Sequence, residues 1–450
     1  MDLAVVGLGK VGLVLSVALA SAGHRVIGVD VDQTRATAIH ARTIDTQEPG
    51  IRDGLRALSV DDFDATTDPA VVAAVDAVFI IVPTPSDPGG GFELDFVLSA
   101  IELIGPGLRA STSSPVVSLV STVMPGASND VIIPALERAV GRRVGDRLGY
   151  GYNPAFIALG DVLKGFVSPD LVLIGEADEH SGDALARVHA SMVPVHTPIV
   201  RMRPVEAEIA KLASNAHETM RVAFVNMLLA ACESTPGSNV DVITDALTFR
   251  HGQRLFRGAV PYGGPCWPRD NFALSAYLAS IGAPSGLPLA VHTANDDHAR
   301  YLRDRVRALL PPGPGRVVIA GIAYKPGTDV LDEAFGLWLA AELATDAGRS
   351  VVAWDPMAAA AARASLPPTI EVTDDLTTAL SGADAVVLVQ PVHELRSFDW
   401  REAQTTITII DCWRILKPVP EAQRARYRGL GAGEGVHGGS RPAVSSRGLT

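Results

Sequence analysis

Apolar positions along this chain follow two rhythms. Short apolar-rich runs cover Leu3 to Val6, Arg25 to Val29, Ala77 to Val82, Val116 to Val120 and Leu171 to Gly175. Such runs, bounded by turn residues and too short for helices, predict strands of a buried parallel sheet. Between the first two lies Leu13 to Ala22, rich in alanine and leucine and stopped by Gly23, which predicts a helix. The second rhythm is helical and long. Pro204 to Glu233 keeps apolar residues at helical spacing, opens on a proline and is followed by Pro236-Gly237. It predicts one helix of about 30 residues, spanning ~45 Å. Asn271 to Ile281 predicts another, and the glycine-rich stretch Asp87 to Phe92 predicts a flexible loop.

After the proline/glycine linker Pro311 to Gly315, strand-like runs return at Arg316 to Ala320, Val351 to Trp354, Ala385 to Val389 and Thr406 to Ile410, with a helical stretch from Glu333 to Ala347. Strands alternating with helices imply a second parallel sheet. The expected architecture is α/β: two doubly wound, Rossmann-like parallel-sheet domains joined by a long central helix. Boundaries fall at 1–200, 201–300 and 301–428, with a Gly/Ser/Arg-rich tail from 429 to 450 that reads as disordered.

The first strand runs into Gly7-Leu8-Gly9-Lys10-Val11-Gly12, and the second ends at Asp30, about 20 residues on. Strand, glycine turn, helix, strand, acid is the order of a dinucleotide site. Gly7 suits the tight turn, Gly9 admits a pyrophosphate to the backbone, and Gly12 allows close helix packing. Asp30 would accept hydrogen bonds from ribose hydroxyls and repel a 2′-phosphate, so NAD is the expected cofactor. Two later strands run into Pro83-Thr84-Pro85 and Ser121-Thr122-Val123, at the edge where such sheets hold ligands; either threonine could instead cap the next helix.

Tyr262-Gly263-Gly264-Pro265-Cys266-Trp267-Pro268-Arg269-Asp270 places one thiol after two glycines and a proline. Taken alone it is either a surface loop with an inert cysteine or a pre-shaped loop around a nucleophile. Lys211 and Asn215, four apart on the long helix, share a face. They could stabilise a developing alkoxide, or be an exposed lysine beside an incidental asparagine. Lys325, in the turn after the first strand of the second sheet, could meet a phosphate or simply be solvated.

Composition narrows the classes. A net charge of −12 over 450 residues argues against a nucleic-acid binder. Three cysteines, Cys232, Cys266 and Cys412, show neither metal-ligand spacing nor a disulfide framework, so no metal site and a reducing compartment are expected. The start Met1-Asp2-Leu3 lacks a basic leader, and glycines and charges break its apolar run. No membrane span and a cytoplasmic location follow as expectations.

Together these residues resemble the UDP-glucose/GDP-mannose dehydrogenase family over roughly Met1 to Leu416, adding Arg250 sixteen residues before Cys266 and Tyr324-Lys325-Pro326-Gly327-Thr328-Asp329. The resemblance implies oxidation of a nucleotide-linked sugar at its C6 alcohol with two NAD, and a homodimer. Cys266 would attack the aldehyde to give a thiohemiacetal, then a thioester that water hydrolyses. Lys211 and Asn215 would hold the oxyanion, Asp270 would order Lys211 and a water, and Thr122 would lie near the nicotinamide. Gly7, Gly9, Lys10, Val11, Gly12, Asp30, Arg35, Pro83, Thr84 and Thr122 would line the cofactor. Arg250, Gly263, Lys325 and Phe156 would meet the substrate, Arg250 from across the dimer.

The chain departs from that family where Asn-Pro-Glu-Phe-Leu-x-Glu-Gly becomes Asn153-Pro154-Ala155-Phe156-Ile157-Ala158-Leu159-Gly160. Both acids are replaced, by Ala155 and Leu159. An arginine expected before the following strand is Asp170, the arginine after the Lys325 turn is Asp332, and the acid before that is Val330. These replacements imply an altered or incomplete second oxidation. Two other readings stand beside this one. One is a non-catalytic binder of nucleotide sugar and NAD. The other is a 3-hydroxyacid-type dehydrogenase using Lys211 and Asn215, which would need no cysteine loop.

Overall fold

The structure, a computed structural model, describes residues 1–251, 256–401, 403, 406–416, 419 and 421–433. The expected tail from 434 onward lies outside them. Contacts divide the chain into two units, one of residues 1–214 with 272–285, the other of 215–271 with the described residues from 286 onward. The stretch 201–300 is therefore shared between them. The long helix Pro204–Glu233 has the predicted bounds and passes from one unit to the other.

In the first unit β1 (Asp2–Val6), β2 (Arg25–Val29), β3 (Phe63–Thr66), β4 (Ala77–Ile80), β5 (Val116–Leu119), β6 (Gly149–Tyr152), β7 (Val172–Glu176) and β8 (Ile199–Met202) form one sheet. Its order is β3-β2-β1-β4-β5-β6-β7-β8. Neighbours are parallel except β6 and β7. The order reverses between β1 and β4, where Leu3 pairs with Ala77 and Val6 with Ile80. That reversal opens the crevice in which open α/β sheets hold ligands. Burial explains why the strands form: Leu3 to Val6 and Ala77 to Ile80 are buried throughout, so apolar side chains cover both faces. The helix Gly12–Ser21 is buried along nearly its whole length and ends at Gly23, whose φ of +91° no other residue adopts cheaply.

The second unit repeats the plan. Strands β9 (Gly315–Ala320), β10 (Arg349–Trp354), β11 (Glu371–Thr373), β12 (Ala385–Leu388), β13 (Thr408–Asp411) and β14 (Tyr427–Gly429) are all parallel, in the order β11-β10-β9-β12-β13-β14. Their relative order matches that of β1 to β6. Two Rossmann-like sheets with a long helix between them are thus the architecture.

Several elements differ from the sequence reading. Strand β6 reads Gly-Tyr-Gly-Tyr, without an apolar run, because the helix Glu179–Met192 packs closely on it. A Cβ at Gly149 would come within 2.5 Å of Ser181 Oγ. Asp87 to Phe92, expected to be flexible, is a pinned turn. Asp87 accepts hydrogen bonds from the Gly89 and Gly91 amides at 2.6 and 3.0 Å, Ser86 bridges Phe92, and Phe92 is buried with Leu212 and Ala273. The helix expected from Asn271 begins at Trp267, since proline at its second position needs no donor. The helix expected from Glu333 begins at Phe335. Residues 429–433, assigned to the tail, belong to the second unit: Tyr427–Gly429 is an edge strand and Leu430 is buried.

Two buried histidines give the fold a pH dependence. Burial pushes His189 in the first unit and His298 in the second down to about 4. An unfolded histidine titrates near 6.5, so between these values only the unfolded chain takes up the proton. Stability is fully present above pH ~6.5 and falls by roughly 1.4 kcal/mol per pH unit for each histidine as pH drops toward 4. Urea unfolding at pH 7 and pH 5 measures this, and a flat profile would exclude it. His189→Gln, able to donate to the same Asn153 oxygen, removes that histidine's share.

Candidate active site

The turn after β1 shows why its glycines are needed. Gly7 has φ of +90°, and a Cβ on Gly12 would collide with the Gly7 carbonyl. Gly9 is exposed, with open space where its Cβ would point. A backbone bare at that position can meet a pyrophosphate at the start of a helix. At the end of β2, Asp30 accepts the Leu8 amide at 2.7 Å and the Asp32 amide at 2.9 Å. Arg35 Nε lies 3.9 Å from the carboxylate, and Arg35 Nη1 donates to the Leu8 carbonyl at 3.3 Å. Gly7, Gly9, Gly12, Asp30 and Arg35 thus form one constellation, with Val11 half-buried and Lys10 exposed beside it. These residues fit NAD.

The turns after β4 and β5 lock each other. Ser121 Oγ donates to the Val82 carbonyl and accepts the Val82 amide, and Thr84 Oγ1 donates to the Thr122 carbonyl at 2.8 Å. Thr84 is buried, Thr122 half-buried and Pro83 exposed. From the long helix the fully buried Glu208 accepts the Gly126 and Ser128 amides at 2.6 and 2.9 Å. Burial raises its carboxyl above the usual range. Sequence reading missed Glu208; its signal is an acid three residues before Lys211 on the same helix.

Lys211 Nζ donates to the Ala155 carbonyl at 2.9 Å and lies 4.9 Å from the centre of the Phe156 ring. The loop that receives it is tied at both ends. His189 Nε2 donates to Asn153 Oδ1 at 2.6 Å, and Asn153 Nδ2 donates to the Leu173 carbonyl. Glu48, also missed from sequence, accepts the Gly160 amide at 2.7 Å and the Val162 amide at 3.3 Å. Ala155, Ile157 and Leu159 are half-buried and pack against the apolar core.

In the second unit Cys266 is exposed, one residue before the helix Trp267–Ser280, whose first bond runs from the Asp270 amide to the Cys266 carbonyl. Unpaired amides and the macrodipole at such a helix start favour negative charge beside it. Asp270, 1% exposed, accepts Asn215 Nδ2 at 2.6 Å, and Arg269 Nε lies 3.3 Å away. A carboxylate only accepts, so this contact fixes the Asn215 amide's orientation. Within this unit Asp270 thus meets both Asn215 and Arg269. Gly263 abuts the Glu333 carbonyl, and Gly264, at φ of +89°, abuts the Tyr324 ring and donates to the Asp332 carbonyl at 2.9 Å. Lys325 sits half-buried in the turn after β9, its carbonyl accepting Thr328 Oγ1. Arg250 is exposed on the helix Val240–His251. Cys232 and Cys412 are buried, and burial pushes the Cys412 thiol up.

Replacing Asp30 with serine removes a charged acceptor while leaving Arg35, which suits a 2′-phosphate. NAD binding then weakens about 10- to 100-fold and NADP gains relative to it. Titration calorimetry with both cofactors measures the shift, and an unchanged NAD affinity would exclude a ribose-binding role for Asp30.

Comparison with known proteins completes the picture. Residues 1–193 match the NAD binding domain of the UDP-glucose/GDP-mannose dehydrogenase family, residues 205–297 its central domain and residues 318–418 its UDP binding domain. The chain is 31% identical over 420 residues to the UDP-glucose 6-dehydrogenase AglM of Haloferax volcanii, covering 92% of this chain and 97% of that one. It is 31% identical over 338 residues to a GDP-mannose 6-dehydrogenase of Pseudomonas syringae pv. syringae, covering 74% and 76% of the two chains. The solved UDP-glucose dehydrogenase of Pyrobaculum islandicum superposes with a TM-score of 0.83 at 29% identity, covering 96% of this chain and 98% of that one. With its glycine turn, its acid at Asp30 and all three domains of the family in order, this chain belongs to the UDP-glucose/GDP-mannose dehydrogenase family, whose members are NAD-dependent dehydrogenases.

Proposed function

We propose that this protein oxidises the C6 alcohol of a nucleotide-linked sugar through a covalent adduct at Cys266, and that release of the adduct is its slow step. The observation that carries the reading is the exposed thiol at the start of a helix, four residues before a buried aspartate that holds Asn215. Bound NAD would supply the hydride acceptor for each oxidation. The chain's own part begins with the aldehyde. Cys266 Sγ adds to the carbonyl carbon, a C–S bond forms, the thiol proton goes to solvent and the carbonyl oxygen becomes an oxyanion. The Lys211 ammonium and the Asn215 amide, one helical turn apart, supply charge and a directed donor to that oxygen. The sulfur substituent allows the carbon to give up a second hydride, leaving a thioester that water cleaves to the acid and the thiol.

Ala155 and Leu159 bring no carboxylate to this last step. Losing an acid/base group costs roughly 10²- to 10⁴-fold, so the thioester accumulates. Incubation with NAD and UDP-glucose or GDP-mannose therefore yields NADH and an intact-protein mass raised by the acyl group at Cys266, with acid appearing slowly. Ala155→Glu speeds acid release about tenfold or more, and Cys266→Ser leaves no adduct. No NADH with either nucleotide sugar, in protein that demonstrably binds NAD, would sink the reading.

The partner is proposed to be a second copy of the chain. Met220, Phe224 and Met227, spaced i, i+4 and i+7 on the long helix, are 38%, 45% and 57% exposed, an apolar stripe suited to a matching helix. Light scattering after size exclusion should give a dimer, and Phe224→Glu should shift it toward monomer. A wild-type monomer at micromolar concentration would exclude this assembly.

A further inference from the structure

The approach to the cysteine loop crosses the interior of the second unit without a strand beside it. Residues 258–262 are buried and lie outside every sheet among the described residues. A buried backbone must nevertheless pair its N–H and C=O groups. Side chains do this here. Asn295, 6% exposed on the helix Gly286–Leu309, accepts the Tyr262 amide at 2.9 Å and donates to the Tyr262 carbonyl at 3.0 Å. An asparagine amide is chemically a peptide group, and this two-way exchange reproduces the hydrogen-bonded pair of an antiparallel ladder. Asn226, 1% exposed on the long helix, accepts the Ala259 amide at 2.9 Å and donates to the Val260 carbonyl at 3.1 Å. His298 meets the Ala259 carbonyl at 2.7 Å, and Arg414 donates to the Gly258 carbonyl at 2.7 Å.

The far side of the loop closes on the same frame. Asn271 Nδ2 donates to the Tyr262 hydroxyl at 3.0 Å, and Thr219 Oγ1 donates to Asn271 Oδ1 at 3.1 Å. The Tyr262 ring stands edge-on to Trp267 at 6.0 Å. Cys266 therefore lies in a closed loop with Tyr262 at one end and Asn271 at the other, and Tyr262 is fixed by Asn295.

We infer that Asn226 and Asn295 are positioning residues for Cys266, acting as a surrogate strand that holds its loop in one geometry. Neither is required to touch the substrate. The inference rests on Cys266 being the nucleophile for its turnover arm only.

Asn295→Asp and Asn226→Asp keep size and acceptor but set a second oxygen against the Tyr262 or Val260 carbonyl. In each, alkylation of Cys266 by iodoacetamide, followed by peptide mass spectrometry, changes about fivefold or more, and NAD-dependent turnover of nucleotide sugar falls about tenfold. KM for NAD stays within about twofold, because the glycine turn is untouched. Thr244→Val, a buried change elsewhere in the same unit, moves neither rate. In wild type, hydrogen exchange at the Ala259 and Tyr262 amides is slowed as in the neighbouring helices. Fast exchange there, or alkylation and turnover within twofold of wild type in both aspartate variants, overturns the inference. Alkylation and exchange need no substrate, so a chain that oxidises no nucleotide sugar would still leave the positioning claim decided.

Discussion

A main-chain amide carried into the interior must find an acceptor, and losing one costs roughly 1–3 kcal/mol. This chain meets that demand with a small set of buried or half-buried acids and amides, several of them tying down a loop that follows a strand. Glu208 holds the turn after β5, Glu48 the loop from Asn153 to Gly160, and Asp30 the glycine turn. In the second sheet Asp411 receives the Trp413 and Leu416 amides. Loops fixed in this way need no neighbouring strand, which frees the carboxyl edges of both sheets for ligands.

The repeat of the sheet plan makes one contrast informative. Asp30 and Asp355 stand at corresponding places, each just after the strand beside the central one. Asp30 binds two amides and keeps part of its carboxylate at the surface. Asp355 is 2% exposed and accepts from Ile322, Ala323, Met357 and Ala358, and burial raises its carboxyl. Its oxygens are committed to the protein, so it offers nothing to a ribose. The same fold element stays partly open in one sheet and is a closed structural clamp in the other.

The loop from Asn153 to Gly160 follows a coherent pattern. Ala155 and Leu159 join the apolar cluster with Ile157 and Leu163, and the loop carrying them keeps its ties through Asn153 and Glu48. Lys211 still meets this loop, through a backbone carbonyl. A loop with apolar side chains packed on the core and anchors at both ends is built to hold its position.

The sequence by itself determined the two parallel sheets, the bounds of the long helix and the glycine turn with Asp30, because these rest on local apolar runs and on glycines whose Cβ would collide. It also marked Cys266, Lys211 and Asn215 by type and spacing. Strand β6 was illegible, since its glycines answer to a helix that packs on them from thirty residues on. So were the roles of Glu48, Glu208, Asn226 and Asn295, whose partners lie 33 or more residues away. The helix at Trp267 began earlier than its apolar spacing suggested, which placed Cys266 at a helix start. A thiol's neighbourhood is made of backbone amides and distant side chains, and only the tertiary structure brings those to it.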